Sequence, residues 1–302
     1  MTEAPSGGGR QGVTLVVLAA GRATRYGGVK PLASVGLAGE AVVDVLGSDA
    51  LAAGFDRLVL VIGPDTGAAV RYHVARTWPP GVPVEFAVQE TPRGTVDAVL
   101  AASPLLDEDS PFGVANADDL PGMAGLALLA GHLRRRETAN AAVCYRLEDS
   151  LLGDAPVTRG ICEVDGDDLL VAVDERRQVT PLPDGRIVAD DGREPKELDP
   201  DRLVSVNLWG FRPEMRPVLR SAMEAADGEG EILLPETVDE LLAARRAGTP
   251  GAMDVRVLRA PGRCIGVTHP GDVALVQAEL ARDIARGERP ASLWSETAAP
   301  RP

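Results

Sequence analysis

The twenty residues 13–32, VTLVVLAAGRATRYGGVKPL, decide how this chain is read. Residues 13–18 (VTLVVL) are continuously apolar and rich in β-branched side chains, with Gly12 before them and Gly21 after. Such a run reads as a strand buried on both faces, the kind found in a parallel sheet. Residues 18–32 then bring small residues and glycines together with Arg22, Arg25 and Lys30. Small residues let backbone N–H groups approach a phosphate chain, and cations neutralise it. Arg suits bidentate contact with phosphate oxygens, whereas Lys acts as a point charge. Glycines alone would also serve an ordinary strand-to-helix turn; the cations on either side of Gly27-Gly28 argue against that. The spacing is neither G-x-x-x-x-G-K-[ST] nor G-x-G-x-x-G.

Outward from this loop, apolar strands alternate with helical patterns. Strands are expected at 57–62 (RLVLVI), 82–88 and 111–116, and helices at 41–53, 65–78, 95–106 and 123–137, with Thr95 as a natural N-cap. This β-α alternation predicts an α/β fold, a doubly wound and mostly parallel sheet with ligand loops at the carboxyl ends of the strands. The candidate loops are 19–32, 89–95 and 116–122. After residue 139 the rhythm changes to strands at 140–145, 160–164, 169–173 and 203–211 with few helices between them. Segment 184–200, charged and containing Gly and Pro, reads as a hairpin or a mobile lid. Helices return at 213–226, 235–247 and 270–286. Residues 1–12 and 288–302 read as tails, the second anchored by Leu293 and Trp294.

Composition narrows the function. The 302 residues carry a formal charge of −14, which repels a phosphate backbone, so no nucleic-acid partner is expected. Three widely spaced cysteines give neither a disulfide framework nor a zinc motif and read as small buried hydrophobes. No apolar run is long enough to span a membrane and residues 1–12 lack a signal-peptide core, so the expectation is a cytoplasmic protein. The composition is compatible with a homo-oligomer.

Three further stretches carry chemistry. In FGVANADD (112–119) a buried strand delivers Asp118 and Asp119 to its end. Adjacent carboxylates repel one another, so their placement suggests a hard cation such as Mg²⁺, or else an Asp-rich turn before the next helix. In QETPRGTVDAV (89–99) a strand end leads through a turn into a helix. In GVTHPGDVALV (266–276) Asp272 lies in a helix's first turn, where it also complements the helix dipole.

The pattern L-A-A-G-x-x-[ST]-R-Y…K-P, seen here in residues 18–31, resembles that of the nucleoside-triphosphate transferase superfamily, which includes the sugar-1-phosphate nucleotidyltransferases. The resemblance runs over residues 13–287 and implies a Rossmann-like, nucleotide-diphospho-sugar transferase fold with a smaller β-rich insertion. Residues 13–138 would form the nucleotide-binding half and 139–287 the acceptor-binding half of one domain. By resemblance, Arg25 and Lys30 are the catalytic cations. The nucleoside triphosphate would lie against Leu18, Ala19, Ala20, Gly21, Arg22, Gln89, Gly94, Thr95 and Asn116, with Gln89 and Gly94 at the base. Asp118 and Asp272 would grip Mg²⁺. On the acceptor side the resemblance assigns Gly160, Glu175 and Asn207, a neighbouring role for Asp119, and Arg176 as the cation for the acceptor phosphate. The implied partners are a nucleoside triphosphate and a small phosphorylated molecule, foremost a sugar 1-phosphate. A cyclitol phosphate, a phosphonate, a molybdopterin-type phosphate, or a non-catalytic nucleotide sensor are the alternatives. Ala23, where many relatives carry a second Gly, departs from the family pattern, and so do Val96 and Asp97, which leave the base open.

Overall fold

The structure, a computed structural model, describes residues 12–21, 28–135, 137–226 and 230–294. The apolar runs become strands β1 (Thr14–Leu18), β2 (Arg57–Ile62), β3 (Val84–Val88) and β4 (Phe112–Asn116). Between them lie α1 (Val42–Ala52), α2 (Gly67–Thr77) and α3 (Thr95–Ala102). These four strands are parallel in the spatial order β4-β1-β2-β3. Because β1 has a neighbour on each side and the chain crosses to both, the loops at the carboxyl ends of β1 and β4 diverge there and open a crevice.

Side-chain alternation divides the core as this topology demands. Leu15 and Val17 of β1 and Leu58, Leu60 and Ile62 of β2 join one apolar cluster, with Leu46 of α1 and Val70 of α2. Val16, Val59 and Val61 face the other way, into a cluster with Val99 of α3. Both faces of β1 are therefore dry, and all of Leu15, Val16 and Val17 are fully buried.

Beyond β4 a two-residue strand β5 (Asp119–Leu120) precedes α4 (Gly122–Arg134). The second half supplies β6 (Asn140–Arg146), β7 (Val157–Val164), β8 (Leu170–Pro181), β9 (Ile187–Ala189), β10 (Glu197–Leu198) and β11 (Leu203–Phe211). Then follow α5 (Met215–Ala225), α6 (Leu234–Arg246), β12 (Val255–Arg259), β13 (Ile265–Gly266) and α7 (Asp272–Ala285). The sheet is mixed: β11 runs antiparallel to β4, β6 and β7, and β7 to β10 extend it as an antiparallel meander. The segment expected as a hairpin or lid is thus the β9–β10 pair, continuous with the sheet, with Ile187, Ala189 and Leu198 in an apolar cluster of their own.

The long strand β11 builds the cleft. Its carboxyl half pairs with β4 as far as Trp209↔Val114, and its amino half pairs with β7 as far as Ser205↔Gly160. Between these positions the register shifts and Asn207 takes a left-handed φ of 60°. So the carboxyl end of β4 and the amino end of β7 meet along one edge of β11 and leave a gap. Residues 288–294 pack onto α1: Arg289 pairs with Asp49 at 2.5 Å, both buried, and the Trp294 ring lies 4.8 Å from Trp78. Among the described residues no helix is long and apolar enough to cross a membrane.

Candidate active site

At the end of β1, the Ala19 N–H donates to the Val61 carbonyl and the Ala117 N–H to that of Leu18, which fixes the strand ends side by side. Leu18, Ala19, Ala20 and Gly21 stand there; Arg22 and Arg25 lie outside the described residues. Lys30 opens a 3₁₀ turn, Lys30–Leu32, whose Pro31 is buried. The following carbonyl, that of Ala33, accepts from the Val42 N–H at the start of α1. A turn so anchored delivers the Lys30 ammonium to Asp118, with Nζ 3.3 Å from Oδ2 and both side chains partly exposed.

Asp119 lies deeper. Its carboxylate accepts from the Asn116 amide at 3.0 Å. Burial, and then the charge of Asp118, push its carboxyl up to about 6, against the opposing pull of Arg159, Asn116 and Lys30. The β5–β13 ladder sets Gly266 opposite Asp119, and a Cβ on Gly266 would collide with the Asp119 carboxylate. The Val267 N–H donates to the Asp118 carbonyl, so the turn before α7 is tied to both aspartates.

Asn116, Asp118 and Asp119 on one wall, and Gly160, Glu175 and Asn207 on the other, line a single polar cleft of about 260 Å³. Six residues chosen from distant stretches therefore converge. Gly160 lies between Ser205 and Glu175 across the ladders, and a Cβ there would press on Val173. Burial, and then Glu236, raise the Glu175 carboxyl, with Arg177 opposing. The Asn207 amide oxygen accepts from the Trp209 indole N–H at 3.1 Å, while the Trp209 ring is fully buried and stacks on Phe211, as a packing residue would.

Four expectations change. Arg176 is not brought to the cleft. Neighbours on a strand point to opposite faces, so with Glu175 on the cleft Arg176 faces the β9–β10 side. There it is 1% exposed and holds Asp191 through two bonds of 2.7 and 2.9 Å, with the Pro195 and Arg193 carbonyls as further acceptors. Asp272 is buried, and one of its oxygens accepts from the Thr268 and His269 N–H groups at 2.7 Å each. It locks the turn, and Thr268 is the residue of that turn that lines the cleft. Thr95 is the first helical residue rather than the N-cap, which is Gly94; its hydroxyl accepts from the Leu234 N–H at 2.8 Å. Gln89 is buried, and its amide nitrogen donates to the Gly94 carbonyl at 3.0 Å and to Asp97 at 2.7 Å. Gly94 itself has φ 97° with the Ile232 backbone in the place of a Cβ, so the loop 89–95 is clamped to the start of α6.

Sequence reading passed over Thr158, Arg159, Gln178, Ser205 and Thr268, all of which line the cleft. Arg159 stands one residue before Gly160, and Thr268 in the T-x-P-x-D stretch, so both were within reach. Among the described residues no group of three or more His, Cys, Asp or Glu could hold a metal by itself. Any divalent ion here would take part of its coordination from bound phosphate oxygens, as Mg²⁺ does in nucleotide sites.

Residues 14–151, just under half of the chain, match the model of the family described as "Nucleotidyl transferase". Over these residues the chain is similar to that family. Over 161 residues it is 32% identical to the bifunctional protein GlmU of Parvibaculum lavamentivorans (strain DS-1), an alignment covering 53% of this chain. The chain spans about a third (34%) of that relative's length. Two solved structures share the fold. The inositol-1-phosphate CTP transferase of T. maritima aligns with a TM-score of 0.62 at 15% identity, over 88% of this chain and 96% of the other. A protein from Bacillus anthracis assigned as a glucose-1-phosphate thymidylyltransferase, in complex with a sucrose, aligns with a TM-score of 0.65 at 13% identity, over 90% and 96%. The matched residues end before β7, so the wall that carries Gly160, Glu175 and Asn207 lies beyond them.

Proposed function

We propose that this chain transfers a nucleotidyl group from a nucleoside triphosphate to the phosphate of a small acceptor, foremost a sugar 1-phosphate. One observation carries the reading: Asp118, which pairs with Lys30, lines the same cleft as the polar wall of Gly160, Glu175 and Asn207. The names of the similar proteins, which act on phosphorylated sugars or inositol, agree with this acceptor class.

The chemistry is an in-line displacement. An acceptor phosphate oxygen forms a bond to the α-phosphorus, the bond from that phosphorus to the bridging oxygen breaks, and pyrophosphate leaves. A phosphate oxygen is already nucleophilic, so the chain needs no Ser, Cys or His nucleophile. The protein's work is positioning and charge neutralisation. In the structure, Lys30 and Asp118 neutralise one another. A triphosphate would draw Lys30 to its oxygens and free Asp118 for a cation.

The donor set suits Mg²⁺: hard carboxylate oxygen from Asp118, with space in the cleft for phosphate oxygens. Asp118 would hold the ion, with Asp272 contributing through the turn that carries Thr268. When bound, Mg²⁺ would neutralise charge on the phosphate oxygens. Glu175 and Asn207 would orient acceptor hydroxyls, and Leu18 to Gly21 would lie along the triphosphate. The test is pyrophosphate release from the four common nucleoside triphosphates against a panel of sugar and cyclitol phosphates. A protein inert with every pair would remove the reading.

A further inference from the structure

The cleft has three carboxylates in its walls, Asp118, Asp119 and Glu175, and must still accept a phosphate dianion. With Arg176 buried against Asp191, the acceptor phosphate lacks the cation that the sequence assigned to it. Among the described residues that line the cleft, one is cationic: Arg159, on β7 beside Gly160.

Arg159 is built into place. Its Nε–H donates to the Ser150 hydroxyl at 3.1 Å and an Nη2–H to the Ser150 carbonyl at 2.5 Å. An Nη1–H donates to the Thr158 carbonyl at 2.9 Å. Ser150 is itself fully buried, and its hydroxyl donates to the Leu147 carbonyl, so the anchor is rigid. A guanidinium has five N–H donors. Three are engaged by protein oxygens, which leaves one on each Nη. Two free N–H groups of one guanidinium suit the oxygens of a phosphate. The three anchoring acceptors are neutral, and among the described residues no ion pair joins Arg159 to a carboxylate, while its charge acts on Asp119. By contrast, Lys30 sits on Asp118, and Arg177 and Arg193, outside this cleft, pair with Glu175 and Asp174.

Building on the nucleotidyltransferase reading, we propose that Arg159, held by Ser150, binds the acceptor's phosphate and sets this site's preference for phosphorylated over neutral acceptors. Its preset geometry lowers the ordering cost of binding. Ser150 is a positioning residue: it touches Arg159 and not the substrate.

Calorimetric titration of the full chain with inorganic phosphate, glucose 1-phosphate and glucose tests this, on wild type and on R159Q, R159K, S150A and, as a control, R177Q. Wild type is expected to bind at least one phosphate-bearing probe. R159Q should weaken that binding about 10- to 100-fold, as for loss of a charge-assisted pair of hydrogen bonds, while nucleoside triphosphate binding stays within twofold. R159K should recover part of the loss, S150A should weaken binding less than R159Q does, and R177Q should match wild type. R159K guards against a folding defect in R159Q, and each variant's thermal melt is compared with wild type. Equal binding by wild type and R159Q overturns the proposal, and so does the absence of any phosphate binding by wild type. Phosphate binding through Arg159 without pyrophosphate release from any substrate pair would leave this inference standing and remove the catalytic reading.

Discussion

The two walls of the cleft reach the same end by different means. On the parallel wall, β1 and β4 are short, dry on both faces and functionally silent along their lengths; charge appears only where they stop, at Lys30, Asp118 and Asp119. On the antiparallel wall the polar groups sit within strands, at Gly160, Glu175 and Asn207, while Arg159, across the ladder from Arg176, comes to the cleft from the other face. An antiparallel strand can keep one face wet, so it can carry functional side chains mid-strand, at the cost of alternate residues that point away. Arg176 is that alternate residue. The irregularities of β11 at Asn207 and of β8 at Gln178, each with positive φ, turn further groups toward the cleft. The parallel wall is therefore expected to govern the reacting phosphates, and the antiparallel wall to govern acceptor recognition and the stability of its own edge.

The largest effect expected on this division is at Lys30. Lys30→Ala should lower kcat about 10²- to 10³-fold, the usual loss when one charge-stabilising donor is removed, and leave acceptor KM nearly unchanged. Steady-state kinetics with the acceptor varied would measure both, and an unchanged kcat would break the division.

Next in size is Asp191→Asn, which should cost about 3 kcal/mol at neutral pH by leaving Arg176 buried without its anion. Arg176 holds the Asp191 carboxyl well below the usual carboxylate range. A group whose folded pKa is depressed stabilises above its unfolded value, about 3.9, and that stability is lost as pH falls toward the folded value. The gap in thermal stability between wild type and Asp191→Asn should therefore be full above pH 5 and shrink below pH 4. A gap that does not depend on pH would contradict the pairing.

The loop 89–95 contributes through backbone shape. Gly94→Ala should destabilise by about 1–2 kcal/mol, because φ is positive and Ile232 fills the Cβ position. Denaturant melts would read this. The smallest stability effect belongs to Asn207→Gly. Glycine relieves a left-handed φ, worth about 1 kcal/mol, and loses the bond from Trp209, worth about the same. Stability should change by less than about 1 kcal/mol while acceptor KM rises. A large loss of stability with unaltered KM would make Asn207 a structural residue only.

The same division explains what was legible in the sequence. VTLVVL and RLVLVI are dry on both faces, and continuous apolarity is visible in one dimension; β2 and β11 fell where expected, residue for residue. Charged strands were harder. β8 was expected to end at Val173 but runs through DERRQVTP to Pro181, because one face is wet and the other is neutralised by partners far along the chain. No local pattern in DERR tells that Arg176 meets Asp191 fifteen residues on. Strand β12 was passed over, since VRVLR between two loops has no distinctive signal. Likewise, Asp272 in T-x-P-x-D was legible as a conspicuous residue, but whether its oxygens face a cation or the preceding N–H groups depends on the fold of the turn.

The central claim is that both walls serve one reaction, and pyrophosphate release measures it most directly. The purified 302-residue chain with Mg²⁺, each of the four common nucleoside triphosphates and the panel of sugar and cyclitol phosphates should release pyrophosphate with at least one pair. Release should require the acceptor's phosphate and fall at least 100-fold in Lys30→Ala. Release that proceeds equally with the unphosphorylated acceptor, or without any acceptor, would contradict the account.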